Sequence, residues 1–387
     1  MFFDSNILTK GLKGIASPYL TLIVVAFLIV LSLIGAIVPQ QGVLEQTSIY
    51  EWKQQHGTAT RLLLPINGFA IFHSPAFLIC LGVLFLNTLS CTLVSVLNDG
   101  LFSEKTLASQ TRRLGFIILH LSILVCIFGG FVSAGFRMSG HLIVTEGQSI
   151  KDQHHVYPKL VEGPLRKELY NRFSLELLDA QIDIEKEWFP VKQEASVLLT
   201  HPPSKVQATI GFNYPFKFNN TIFTLREIGY APQIIIKSQS RRIPPLNTFF
   251  SLQVWGFNED REHYDFLPLP SGGTRLVITF YPSYEIRDGE IIKTSEDLNN
   301  PALLIYEEFN DGKQTPKQLL PQGETATING LDIQFGELRQ WAAFQVVQDP
   351  GYIIVCISFW FSIIALILRY SPDILDWIKE SKSHGTS

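Results

Sequence analysis

The chain has 387 residues, 46% hydrophobic and only 17% charged, with a formal net charge of −4. That length allows one or two domains, and so mild a charge argues against nucleic acid as a partner. The charge is concentrated in one half, which points to a membrane chain with an attached soluble domain.

In chain order, four stretches lack Asp, Glu, Lys and Arg: residues 19–38, 75–97, 114–136 and 351–368. Each is near the ~20 residues that a helix rising ~1.5 Å per residue needs to cross a ~30 Å hydrocarbon core. The segment before the first stretch carries acid as well as base, and the apolar run is too long for a cleavable signal, so the first span should stay attached. Three spans open on a start signal, Ser17-Pro18, Ser74-Pro75 and Asp349-Pro350, where Ser or Asp caps a helix whose first residue is Pro.

Basic residues orient the spans. Lys10 and Lys13, then Lys105, Arg112 and Arg113, then Arg369, Lys379 and Lys382 place eight on one side. The 39–73 loop on the other side carries only Lys53 and Arg61. The expectation is cytoplasmic termini, with the 39–73 loop and the insert 137–349 facing outward across the inner membrane. After Ser371-Pro372, a short cytoplasmic helix with Ile374, Leu375, Trp377 and Ile378 on it is expected at the interface.

Cys80, Cys91, Cys126 and Cys356 all lie inside apolar spans, with no Cys-x-x-Cys. This argues against a thioredoxin-like domain, a zinc site and a disulfide scaffold. The cysteines read as small apolar core residues.

The insert reads as β. Apolar, β-branched and aromatic runs recur at 222–225, 233–236, 252–255, 275–280, 302–306 and 331–335. Asp288-Gly289, Asp311-Gly312 and Asn329-Gly330 supply hairpin turns, and His201-Pro202-Pro203 and Ile243-Pro244-Pro245 punctuate the strands. The expected fold class is an α+β membrane protein. It has four transmembrane helices plus an antiparallel β-rich extracytoplasmic domain, a sandwich or open barrel, inserted between helices three and four. The domains are then 1–136, 137–349, and 350–387 with the fourth helix and cytoplasmic tail.

Two histidines stand out, His73 at the outward mouth of the second span and His120 inside the third. An ionisable, metal-ligating side chain at such depth suggests function more often than packing. His120 lies seven residues past Arg113, ~10 Å into the membrane. With His73 near the opposite surface, the two are roughly 20 Å apart. They are too far apart to ligate one metal ion together, so if they bind metal each pairs with a histidine from a partner, or only one is a ligand.

Several segments resemble the ResB (CcsB) family of system II cytochrome c biogenesis. Ala16-Ser17-Pro18-Tyr19-Leu20-Thr21-Leu22 leads into the first span, and Gly35-Ala36-Ile37-Val38-Pro39-Gln40 ends it. Phe72-His73-Ser74-Pro75-Ala76-Phe77, Leu86-Asn87-Thr88-Leu89-Ser90-Cys91-Thr92, Arg113-Leu114-Gly115 and His120-Leu121-Ser122 mark the second and third. Phe173-Ser174-Leu175-Glu176-Leu177, Asn213-Tyr214-Pro215-Phe216-Lys217-Phe218 and Gln345-Val346-Val347-Gln348-Asp349-Pro350-Gly351 follow in order. The chain departs from the family pattern at Phe116 and Tyr214, which often carry ionisable residues, and at Pro75 and Ala76, so only His73 and His120 carry over as ligands.

The resemblance implies a cytochrome c assembly factor. It would be a non-catalytic subunit that handles haem b and exports it to the outer face with a CcsA-type membrane partner. There haem is joined to Cys-x-x-Cys-His of apocytochrome c. The six tryptophans are scattered, so the chain lacks the tryptophan-rich motif of that partner and should not complete ligation alone.

His73 reads either as an axial haem ligand or as an interfacial histidine wetted by headgroup water. His120 reads as a haem ligand on an inner path, or as a bundle histidine bonded to Asn87 or a hydroxyl. His141 could face outer haem or be merely solvated, and Arg137 could pair with a haem propionate or anchor the interface. His56, His154, His155, His201 and His263 read as ordinary solvated histidines, and His384 lies in a polar tail. Two other function classes stay open. One is a membrane receptor or scaffold whose β domain binds a partner. The other is a di-haem oxidoreductase, ranked last because one chain cannot supply four ligands.

Overall fold

A computed structural model describes residues 14–41, 46–99, 106–167, 170–184, 190–238, 244–255, 262–269, 273–287 and 289–384. Lys10, Lys13 and Lys105 of the charge count, and Ile243 and Asp288 of the turn signals, lie outside them. The chain forms two compact units, one of residues 1–137, 163–165 and 349–387, the other of residues 138–162 and 166–348.

The first unit is helical. Helix α1 spans Pro18–Ile37, α2 Gln46–Gln55, α3 Gly57–Leu63, α4 Pro75–Asp99, α5 Leu107–Phe136 and α6 Pro350–His384. Four of these are long and apolar enough to cross a membrane: Pro18–Ile37, Pro75–Leu97, Leu107–Phe136 and Pro350–Ile374. Two of the expected caps form through side chains. Ser74 Oγ accepts from Phe77 N–H at 3.2 Å. Asp349 Oδ1 accepts from the N–H groups of Gly351 and Tyr352 at 2.9 and 3.1 Å. Ser17 makes no side-chain cap. Its carbonyl instead receives Asn87 Nδ2 of α4 at 3.1 Å.

Helix α5 starts seven residues earlier than its apolar run. Thr106 and Ser109 form a reciprocal capping box there. The two arginines inside its first turns reach across to neighbouring helices through Nη2: Arg113 donates to the Ser95 carbonyl of α4 at 2.9 Å, and Arg112 pairs with Asp373 of α6 at 2.5 Å. The expected separate helix after Ser371 is not separate. Pro372 sits inside α6, which runs unbroken to His384. Proline removes the N–H that would bond the Leu368 carbonyl, and Ser371 Oγ reaches that oxygen weakly at 3.5 Å.

Helices α5 and α6 pack together from Gly129 and Ile354 to Gly115 and Arg369 through small residues. A Cβ on Gly115 would lie 2.6 Å from the Arg369 backbone nitrogen, and one on Gly129 3.0 Å from Ile354 and Val355. Hydroxyls stitch the same seam, with Ser122 to Ser362 and Ser133 to Asp349 both at 2.7 Å. Backbones that approach this closely gain dispersion contact that lipid cannot replace.

Residues between α1 and α4 fold into more than a loop. Val38, Ile49 and Phe69 form a small buried cluster with Trp52 and Leu63 against it. Gln40 ties it together: its Nε2 donates to the carbonyls of Val38 and Gly68, and its Oε1 accepts from Ile71 N–H.

The second unit has only antiparallel strand pairs among the described residues, and one 3₁₀ turn, His154–Val156, interrupts them. Its largest sheet runs in the order Lys159–Glu162, Met138–Thr145, Leu331–Gln348, Thr221–Ser238, Phe216–Phe218. The strands Ser149–Lys151, Ser174–Ile184, Pro190–His201 and Ser204–Gly211 form a four-stranded sheet, and a five-stranded sheet is built around Thr274–Tyr281 and Ala302–Phe309. The runs expected at 222–225 and 233–236 belong to one strand of 18 residues, and the run at 331–335 opens another of 18. These two long strands pass through both hydrophobic cores. Phe223, Leu225, Phe344 and Val346 enter the first core; Ile234, Ile236, Ile333 and Phe335 enter the second. Between the cores, Gly229 lies under the Trp341 indole, whose Nε1 donates to the Leu252 carbonyl at 3.0 Å. The Asn329-Gly330 turn has positive φ at both positions, +47° and +78°, and closes the expected two-residue hairpin between Ile328 and Leu331.

Candidate functional site

His120 sits midway along α5. Its Nδ1 lies 2.9 Å from the Phe116 carbonyl one turn earlier, and its ring centroid is 3.9 Å from that of Phe116. A carbonyl can only accept, so Nδ1 carries the proton and the Nε2 lone pair is left for a partner. Nε2 makes no hydrogen bond among the described residues. At ~100° per residue, His120 is about 200° round the helix from Ser122, which faces α6. It shares a face with Arg113, one heptad earlier, which bonds α4.

The expected alternative bond from His120 to Asn87 does not form. Asn87 is buried and fully occupied: it accepts from Thr21 Oγ1 at 2.6 Å and donates to the carbonyls of Ile15 and Ser17 at 2.6 and 3.1 Å. Nor does a hydroxyl bond His120 among the described residues.

His73 ends the 3₁₀ turn Gly68–His73, two residues before α4 begins. Its ring is exposed, while its neighbours Ile71 and Ser74 are buried and hold the backbone. The bond from Arg113 to Ser95 sets the register of α5 against α4 and puts His120 near the level of Thr88. The rise from His73 to Thr88 is about 22 Å. The two histidines are therefore separate positions, as their depths in the sequence imply.

His141 lies half-buried on the strand Met138–Thr145, opposite Gln345 on one side and Lys159 on the other. Burial lowers its pKa first, and the nearby cations Lys159 and Arg226 lower it further, so the ring is neutral at neutral pH. Arg137 caps the end of α5 through its backbone; its side chain is exposed and forms no ion pair among the described residues.

Sequence reading missed one histidine. His263, expected to be solvated, is buried in the second β core. It meets Tyr230 edge-on at 4.8 Å, and its Nε2 lies 3.5 Å from Glu296, which also binds Lys293 Nζ at 2.7 Å. Its strand, Glu262–Pro268, alternates weakly and carries Asp265 and Tyr264 beside it, so no period-2 apolar signal marked the position as internal. Among the described residues, no three His, Cys, Asp or Glu side chains converge to hold a metal ion. The four cysteines are free thiols.

A family model described as ResB-like matches residues 19–98 and 101–382. The chain belongs to the ResB-like family. This membership gives it a role in cytochrome c biogenesis. Comparison with curated proteins gives no match. Among solved structures, one titled cytochrome c heme lyase CcmF aligns at 9% identity with a TM-score of 0.28. The alignment covers 88% of this ResB-like chain and 38% of that one, too weak a likeness to carry structural inference.

Proposed function

We propose that this ResB-like protein is a haem-handling subunit of a cytochrome c assembly complex in the inner membrane. It works with a CcsA-type membrane partner that completes covalent attachment to apocytochrome c. Both termini face the cytoplasm and the β domain, residues 137–349, faces outward, in line with the basic residues around the helix ends. Residues 1–136 and 350–387 supply the membrane portion.

The observation that carries this reading is the fixed tautomer of His120. An apolar helix holds an imidazole with Nδ1 bonded to its own backbone and Nε2 open, on a face that α6 does not cover. That arrangement suits a neutral nitrogen ligand to haem iron. His73, exposed at the far end of α4, suits the same role about 22 Å away, with His141 and Arg137 as further candidates on the outer side. Since no single haem reaches both His73 and His120, each would share its haem with a residue of the partner, or only one of them would hold haem. Haem bound there supplies the iron and vinyl chemistry of ligation; this chain binds, orients and passes it.

Co-purification with a CcsA-type partner and an absorption spectrum test the reading. His73→Ala and His120→Ala should each lower haem content severalfold while leaving the complex assembled. Unchanged haem content in both variants overturns the ligand assignment. A stable complex that contains no haem at all would favour the scaffold reading instead.

A further inference from the structure

Between α1 and α4, one run of the chain is apolar and uncovered. Leu62-Leu63-Leu64-Pro65-Ile66 holds no polar side chain. Leu63 turns inward, against the cluster of Val38, Ile49 and Phe69. The others do not: Leu62 and Leu64 are 73% and 58% accessible, and Pro65 and Ile66 are exposed with them. Water disfavours such a run, so its exposure calls for a covering phase.

The turn that follows ties the run to the end of a span. A Cβ on Gly68 would lie 2.8 Å from Leu63. The carbonyls of Gly68 and Phe69 receive Gln40 Nε2 and Gln41 N–H at 3.0 and 2.7 Å. Gln40 and Gln41 follow closely on Ile37, where α1 stops. Phe72 then reaches back onto Gly35, inside the last turn of α1. Helix α1 has 20 residues, a rise of about 30 Å that matches the hydrocarbon core. Its end therefore marks the hydrocarbon boundary, and the run lies beside the residues just past it, at the level of the headgroup layer, about 5–8 Å thick.

The neighbouring surface is of the same kind. Leu33 and Ile37 near the end of α1, and Leu78 and Ile79 in the first turns of α4, are exposed on the spans themselves, where lipid meets them. Exposed polar side chains gather elsewhere in the segment, at Glu51, Gln54 and Gln55 of α2. Arg61, directly before the run, is exposed too.

We propose that residues 46–73 form an interfacial cap, with Leu62, Leu64 and Ile66 seated in the leaflet at that end of α1 and α4. The occupant of the apolar run is the lipid surface, continuous with the lipid around the two spans. Arg61 lays its stem along the same surface and keeps its guanidinium among the phosphates. The cap also sets exposed His73, next to Phe72, at the lipid boundary rather than out in bulk water. It stands on packing and exposure alone, apart from the haem-handling reading.

Spin-label accessibility tests it. Leu62→Cys and Leu64→Cys are each labelled in a full chain whose four native cysteines are Ala, and reconstituted without a partner protein in phosphatidylcholine vesicles. Both side chains are exposed, so neither substitution opens the small core. Oxygen concentrates in lipid, whereas a nickel chelate stays in water. Both labels should collide severalfold more with oxygen than with the chelate, and a label at Gln54→Cys should show the reverse. Labels at 62 and 64 that meet the chelate as readily as the one at 54 would place the run in water, free for a protein partner. Labels shielded from both reagents would place it under protein, such as a second copy of the chain. Either result overturns the cap.

Discussion

At the scale of single residues, the β unit holds polar groups whose loss has a defined sign. Tyr157 donates to buried Asp152 at 2.6 Å, and Asp152 also accepts from Arg172 N–H at 3.1 Å. Burial and the adjacent carboxylate push the Tyr157 phenol far up, so it stays a donor at any working pH. Tyr157→Phe removes that bond and leaves a carboxylate short of one donor, at a cost of about 1–3 kcal/mol in thermal unfolding. Glu296 behaves differently. Burial pushes its carboxyl up, but the hydrogen bonds and charges of His263 and Lys293 outweigh this and hold it below the usual carboxylate range. A folded pKa below the unfolded one gives stability that is present at neutral pH and lost as pH falls through the acid range. Glu296→Gln should therefore flatten the acid limb of a stability–pH curve relative to the parent. His263 shows why this cluster was invisible beforehand: one imidazole in a weakly alternating strand looks the same in sequence whether it faces water or Tyr230. His73 and His120 were legible because an apolar run isolates them, and depth along a helix follows from counting residues.

At the scale of elements, the four spans were legible from the absence of charge, and their ends were not. Arg112 and Arg113 lie inside α5 because Asp373 and the Ser95 carbonyl receive them, partners that lie far off in the sequence. Pro372 was read as a break, yet α6 continues through it, with the next residue, Asp373, paired to Arg112 of α5. The long strands Thr221–Ser238 and Leu331–Gln348 were each seen only in part. Their middle residues, Arg226 to Gly229 and Gly336 to Gln340, carry charge and glycine that broke the apolar alternation, although Ile228 and Ala342 belong to the first core and Tyr230 to the second. The α5–α6 seam yields a test at this scale. Gly115→Leu places a branched side chain against the Arg369 backbone, so it should loosen the pair. Loss of thermal stability in detergent, with insertion into the membrane unaffected, is the expected readout; an unchanged melting profile would mean the seam does not hold the pair.

At the scale of the β unit as a whole, two cores share the same two strands. Thr221–Ser238 and Leu331–Gln348 pair over nearly their whole lengths, from Leu331↔Ser238 to Val347↔Ile222. Neither core can lose these strands without opening the other, so the unit should unfold in one cooperative transition despite its two apolar clusters. Gly229→Val presses a side chain into the Trp341 indole at the crossing and should destabilise by about 1–3 kcal/mol. Hydrogen exchange should show protection falling together in both cores; exchange rising in one core alone would mean they are independent.

The first and last residues of the β unit are themselves paired partners, Met138↔Gln348. Chain leaves α5 and returns to α6 through neighbouring positions of one ladder, while α5 and α6 hold each other by contacts of their own at Ser133–Asp349 and Gly129–Gly351. The β unit is therefore built as a cassette whose two ends meet. A chain in which a short Gly-Ser link replaces residues 138–348 should keep α5 against α6, as a plain helical hairpin. Duplication, exchange or loss of the cassette would leave the membrane pair intact, so the two parts of this protein are free to change at different rates.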